Sequence, residues 1–182
     1  MLAASKRGSL GVVPGQRIAL TPPIGLVLLG WSSPEFVTRW LMESADFEDP
    51  VLRGKYRAAI EVTRKRGFSV GKKSEAQSRF VRALGSLVNN VERAELAETA
   101  RTLLAELTLE EYFQEIVNSE QECAIEFLSV PMFNRLGDLL GAITVGGFQR
   151  PLSGREVLEM AGRLSERGKR ISNTHSGGPV AV

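Results

Sequence analysis

The chain has one histidine, His175, and one cysteine, Cys123. Nucleophilic catalysis of the Ser-His-Asp or Cys-His kind needs an imidazole held beside its partner. His175 lies in a Gly/Ser-rich terminal stretch that cannot hold it. No histidine-based or thiolate-rich metal site can be assembled from so few ligands. Cys123 reads as a small buried hydrophobe rather than a nucleophile. The run Gly67-Phe-Ser-Val-Gly-Lys-Lys-Ser ends like a phosphate-binding loop. It has one residue too few between its glycines, and Lys73 stands where Ser or Thr must follow Lys72. Glu110, Glu111, Glu120 and Glu122 supply carboxylates, but at helix starts and in loops, where water accounts for them. The sequence holds no catalytic constellation and points to binding rather than to an enzyme.

The residues suited to binding lie in a hairpin. Segments 124–133 and 138–145 are strand-like and flank Asn134-Arg135-Leu136-Gly137, a composition that suits a four-residue loop. Pairing Phe133 with Asp138 sets Pro131 opposite Leu140, Ser129 opposite Ala142 and Phe127 opposite Thr144. The alternate face pairs Val130 with Gly141 and Leu128 with Ile143. That second face is bulky and aliphatic and should pack on a core. The first carries Ser129, Ala142, Thr144 and Gly146, all small, with Phe127 and Pro131 as walls. Small residues with hydroxyls on a covered face leave room for a ligand and give it polar handles. Close helix packing against small residues is the competing explanation.

The elements that must position this face follow from local signals. Residues 1–20 read as extended, with Ile18 and Leu20 alternating after the Pro14-Gly15 turn, and 26–30 as a short buried helix. Ser33-Pro34 is a helix start, with Phe36, Val37, Trp40 and Leu41 as its apolar stripe. Asp49-Pro50 opens a second helix, expected to run to Arg66 and stop at Gly67. Arg64, Lys65 and Arg66 in its last turn read as a solvated basic end. Residues 74–118 follow a helical pattern, with a capping box at Thr108 and Glu111. Ser153 and Glu156 form another capping box, opening a last helix with Val157, Met160, Ala161, Leu164 and Ile171 on one face. Residues 173–182 should be a disordered tail.

Composition bounds the function classes. The 182 residues are 43% hydrophobic and 24% charged, which suits one soluble domain with a core. Lys and Arg number 23 against 21 Asp and Glu, a net charge of +2 that excludes a dedicated nucleic-acid binder. No uncharged apolar stretch reaches the roughly 18 residues of a membrane span, and no signal-peptide core is present. A cytoplasmic protein is expected.

The run PMFNRLGDLLGAITVGGFQRPLSGREVLEMAGRLSERGKRIS closely resembles the end of IclR-type transcriptional regulators. Those end in a Pro-Val-Phe-like strand, a Gly-containing hairpin, an Ile-Ser-Val-like strand, and a helix after Leu-Thr or Leu-Ser. PGQRIALTPPIGLVLLGWSSPE is similar to that family's Gly-x-Arg-x-Pro-Leu and Ala-x-Gly segment, and RKRGFSV to its Arg-x-x-Gly-Tyr-x-Val. The spelling of TPPIG and GWSSPEFVTRWL looks like an actinobacterial branch. The ordered resemblance covers about three-quarters of the chain.

It implies an α+β fold: a GAF-like antiparallel sheet flanked by helices, over 1–172, with an extended helical insertion at about 74–118. It implies a domain that binds a small-molecule effector and forms a homodimer or homotetramer. DNA contact would belong to a winged helix-turn-helix head not in this chain, so the chain is expected to be the sensing fragment alone. The family's effector pocket uses amides of the Ala-x-Gly loop, a cysteine on the penultimate strand and hydroxyls on the last. Position by position these fall at Pro23, Ile24 and Gly25, at Phe127, and at Thr144 and Gly146. Pro23 has no N–H to donate, Phe127 replaces the cysteine, and Gly146 lacks the hydroxyl. The expected ligand-binding residues are Ile24, Gly25, Phe127, Ser129, Thr144 and Gly146, and the lost polar groups favour a larger or more apolar effector. No cofactor, metal or membrane partner is implied. The alternative is a degenerate GAF-like dimerisation module in which Phe127 fills the cavity.

Overall fold

A computed structural model of the chain describes residues 20, 25–42, 50–73 and 122–174. Residues 1–19, expected to be extended, Ile24, residues 74–118, expected to be helical, and residues 175–182, expected to be a tail, lie outside the described residues. So does Asp49. The described residues form a mixed α+β arrangement of helices and small antiparallel sheets. None of their helices is long and apolar enough to cross a membrane.

Helix α1 (Leu26–Leu29) buries three of its four residues. Helix α2 (Pro34–Met42) starts as its Ser-Pro signal predicts: the Phe36 N–H donates to Ser33 Oγ at 3.2 Å. Its stripe is narrower than expected. Trp40 and Leu41 are buried and Val37 packs beside them, but Phe36 is exposed. Helix α3 (Pro50–Arg66) stops at Gly67 as expected. Leu26, Leu29, Trp40, Leu41, Tyr56, Ala59 and Ile60 form one core cluster across these helices. Trp40 meets Tyr56 edge-on at 5.4 Å between ring centres, a preferred aromatic geometry.

The last turn of α3 differs from expectation. Arg64 Nε donates to the Gly30 carbonyl at the end of α1, answering an acceptor that a helix terminus leaves open. Arg66 lies 5.7 Å from the centre of the Phe68 ring, within cation–π range. Two of the three basic residues are thus joints between elements, and only Lys65 matches the solvated reading.

Strands β1 (Ser69–Lys72), β3 (Ile125–Phe133) and β4 (Leu139–Gly146) form an antiparallel sheet with β3 in the centre. Strands β2 (Glu122–Cys123) and β5 (Leu152–Ser153) pair separately. Helix α4 (Gly154–Thr174) lies against β3. Its Val157 and Ala161 join Phe68, Val70, Ile125, Leu128, Val130 and Leu152 in a second core cluster, with Ile143, Val145, Met160 and Leu164 packed around it. Ile171, expected on the buried stripe, is 45% exposed. Asn173 and Thr174, assigned to the tail by composition, continue α4. Half-buried Cys123 packs against the same cluster, as a small hydrophobe would.

The β3–β4 hairpin corrects the expected register. The Asn134 N–H donates to the Asp138 carbonyl at 2.8 Å and the Gly137 N–H to the Asn134 carbonyl at 3.1 Å, so the loop is 135–137 rather than four residues. Asn134 Oδ1 accepts from the amides of Leu136 and Asp138, both at 2.8 Å. Gly137 closes the loop at φ 88°, a backbone that other residues adopt at a cost. A second irregularity follows between Met132 and Phe133. Each feature slides the pairing by one residue. Ser129 therefore faces Thr144 and Phe127 faces Gly146, with Pro131 on Ala142. A single slip would exchange the two faces of β4, whereas two slips restore them. The expected partners were wrong and the expected faces right.

The start of α4 yields a pH-dependent prediction. The Ser153 N–H donates to Glu156 Oε2 at 2.9 Å and the Glu156 N–H to Ser153 Oγ at 3.3 Å, completing the capping box. Arg150 also bonds the Glu156 carboxylate. Chiefly through Arg150, then through the Ser153 amide, the Glu156 carboxyl is held down at about 2 from an ordinary 4.5. A lowered folded-state value stabilises the fold above the unfolded value, and that contribution fades as pH falls toward 2. Glu156→Gln should lower the denaturation midpoint at pH 7 and lose most of its difference from wild type near pH 2. Thermal or urea denaturation at the two pH values checks this.

Candidate functional site

Four of the six residues expected to bind, Phe127, Ser129, Thr144 and Gly146, sit on the face of the sheet opposite α4. Alternation along β3 directs Leu128 and Val130 into the core with α4 and sends Phe127, Ser129 and Pro131 the other way. On that face Ser129 Oγ and Thr144 Oγ1 are 2.7 Å apart and hydrogen-bonded. Ser129 is only 4% exposed, while Thr144 is exposed. Burial of one hydroxyl against an accessible one makes Thr144 the outer end of a polar path into the sheet.

Pattern reading missed the third member. Ser69 of β1 pairs with Ser129 on its other side, so Ser69, Ser129 and Thr144 form a hydroxyl row across three strands. Ser69 is 8% exposed. Among the described residues its hydroxyl has no hydrogen-bond partner. A buried hydroxyl without a partner costs about 1–3 kcal/mol. The segment RKRGFSV held the signal, because Phe68 and Val70 are buried in the α4 core while Ser69 alternates between them. It was too short to be read as a strand.

Phe127 stands between two glycines, Gly71 on β1 and Gly146 on β4. Its ring lies over Gly71: a Cβ built there would come within 2.2 Å of Phe127 Cε1. The glycine is required by the close approach of the ring. The space above Gly71 is therefore filled by Phe127, as a wall of the face. At the other end of β3, Phe133 meets Trp31 edge-on at 5.6 Å. Trp31 follows α1, which lies against β3 and β4.

Gly25 opens α1 with φ 94°, a left-handed backbone that favours glycine. Its nearest neighbour is Leu20, whose side chain occupies the place a Cβ would take. The structure thus brings together Phe127, Ser129, Thr144 and Gly146 on one face and places Gly25 at the helix lying against that sheet. Ile24 is outside the described residues.

The hydroxyl row and its walls carry no ionisable side chain, so the face offers hydrogen bonds and apolar contact but no counter-charge. Among the described residues no cluster of three or more His, Cys, Asp or Glu could hold a metal ion. A cavity of about 330 Å³ lies elsewhere, between α2 and α3, lined by Thr38, Leu41, Pro50, Arg53, Gly54 and Arg57. Residues 43–49, which join α2 to α3, lie outside the described residues. The chain matches no protein-family model, no curated protein and no solved structure.

The contact of Phe127 with Gly71 is testable alone. Gly71→Ala forces the ring to move and should cost roughly 1–3 kcal/mol of stability, as overpacking does. In a Phe127→Ala background the same change should cost at least about 1 kcal/mol less, because the two positions share one space. Urea denaturation of the four variants of this cycle measures both values.

Proposed function

We propose that this chain is the small-molecule-sensing and self-associating domain of an IclR-type transcriptional regulator, built on a GAF-like sheet and working in the cytoplasm. The observation that carries the reading is the hydroxyl row Ser69–Ser129–Thr144 with its buried Ser69, whose hydroxyl has no partner among the described residues. It supports a site in which an incoming ligand completes a hydrogen bond that the described residues leave open. The α+β sheet order and the ordered resemblance of the strands and last helix support the same family reading.

The chemistry of the face narrows the ligand class. With no cation lining it among the described residues, a free carboxylate would lose water without gaining a counter-charge. A neutral, largely apolar or aromatic molecule with one or two hydrogen-bonding groups fits better, resting on Phe127 and bonding to Ser69 and Thr144. Binding energy would shift the arrangement of protomers. In a complete regulator that shift is passed to a winged helix-turn-helix head, where DNA contact resides. Nothing in the reading calls for an enzyme.

A second reading is favoured by one specific pair of observations. Ser129 and Thr144 satisfy each other, and the Phe127 ring fills the space over Gly71. Both suit a face that has lost its ligand and serves only association.

Calorimetry and thermal-shift screening against neutral aromatic and aliphatic compounds separate the two. A true effector at about 100 times its Kd should raise the melting temperature by roughly 5–10 °C. Ser69→Ala should leave the free protein as stable as wild type or more so, since it removes an unmet hydroxyl. The same change should weaken effector binding about tenfold, the worth of one hydrogen bond. Absence of any binder for wild type, with binding gained by Phe127→Ala, would establish the second reading.

A further inference from the structure

Helix α1 has four residues, too few to persist on its own hydrogen bonds, so it stands where other elements grip it. One grip is the sheet. α1 lies against β3 and β4, and Trp31, just past its end, meets Phe133 edge-on at 5.6 Å. The other grip is α3. Leu26 and Leu29 pack with Tyr56, Ala59 and Ile60, and Arg64 Nε donates to the Gly30 carbonyl. A Cβ built on Gly30 would stand 3.5 Å from the Arg64 amide nitrogen and 3.6 Å from its Cα. The end of α1 thus rests on the α3 backbone at the residue that also bonds it. Apolar packing has no preferred direction, whereas a hydrogen bond sets one orientation.

The face of the sheet that α1 covers follows from β3. A Cβ built on Gly168 of α4 would meet the Met132 side chain at 3.3 Å, so Met132 turns to α4, as Leu128 and Val130 do. The irregularity beside Met132 places its extra residue, Leu140, on β4, which leaves the alternation of β3 unbroken as far as Phe133. Phe133 therefore shares the face of Phe127, Ser129 and Pro131. Trp31 rests on Phe133, and α1 with it lies on the hydroxyl face.

We propose that Arg64 is a positioning residue of the hydroxyl face. Through its bond to Gly30 it holds α1, with Gly25 at its start and Trp31 beyond its end, as a wall at the Phe133 end of that face. The guanidinium suits the task, because it is always charged and its planar fork can serve two acceptors at once. Glu61 Oε1 lies 3.7 Å from Arg64 Nη1 on the exposed side of α3, which leaves Nε to Gly30. The width of the site is then set from α3 and not by the strands alone. The inference rests on the proposed function only in treating the face as a binding site; the hold of Arg64 on α1 is tested without a ligand.

The experiment is NMR on the full chain as wild type, Arg64→Met and Gly30→Val. Arg64→Met keeps the apolar stem and loses the donor. Gly30→Val breaks the same joint from the other side, since its γ carbons must part the two backbones. Both variants should lose the cross-relaxation between the Trp31 and Phe133 rings and shift the methyl signal of Ala142, on the same face of β4. The methyl signals of Ile143 and Val145, on the α4 face, should stay in place. A residue that only stabilised the fold would lower the melting temperature and leave these folded-state signals unchanged. Arg64→Met with the ring contact and the Ala142 signal both kept would overturn the positioning role. Should that variant not fold, Gly30→Val decides by the same signals. Movement of Ile143 and Val145 in place of Ala142 would overturn the assignment of α1 to the hydroxyl face. Failure of the compound screen would sink the sensing reading and leave these signals to decide the role of Arg64.

Discussion

Strand β3 is the constraint on which the rest depends. It is central in its sheet, so its backbone is committed on both sides to β1 and β4. From Phe127 to Pro131 its side chains alternate between two environments. Leu128 and Val130 are wholly buried beneath α4, and Ser129 between them is buried on the other face. Because the side-chain period of a strand is two, no residue of β3 can change sides without exchanging the aliphatic core for the hydroxyl face. The packing of α4 on one side therefore fixes the chemistry available on the other.

The same constraint explains what was legible in the sequence. The aliphatic and small-residue faces could be assigned from alternation alone, and they survive a register wrong by two residues. The turn could not be counted so simply. Asn134 and Gly137 suited a four-residue loop, but Asn134 enters the ladder with Asp138 and a second irregularity absorbs another residue. Helix starts were readable at Ser33 and Ser153 because a cap is a local hydrogen bond made by residues close in the chain. Long-range partners were not. Nothing in the spacing of Arg64, Lys65 and Arg66 says that the first reaches the end of α1 and the third a phenyl ring.

Of the candidate site, Phe127, Ser129, Thr144 and Gly146 were visible because they share one strand pair. Ser69 was not, because β1 is four residues long and comes to lie beside β3 only through the fold. Its addition changes the character of the face. Two hydroxyls that satisfy each other make a closed polar spot, whereas a third, buried and without a partner among the described residues, leaves a hydrogen bond to be made. Among the described residues the face also has no charge of its own. On the proposed reading, a site there would select through shape and hydrogen bonding.

The account stands on the claim that the hydroxyl face, and not the α4 face, receives the ligand. Neighbouring methyl groups on β4 report the two faces separately, since Ala142 and Thr144 point to one side and Ile143 and Val145 to the other. The direct measurement is methyl NMR on the chain labelled at Ala, Thr, Ile and Val during titration with a binding compound. The account predicts shifts at Ala142 and Thr144 with Ile143 and Val145 nearly still. Shifts confined to Ile143 and Val145, or to residues of the α2–α3 cavity such as Thr38, would contradict it.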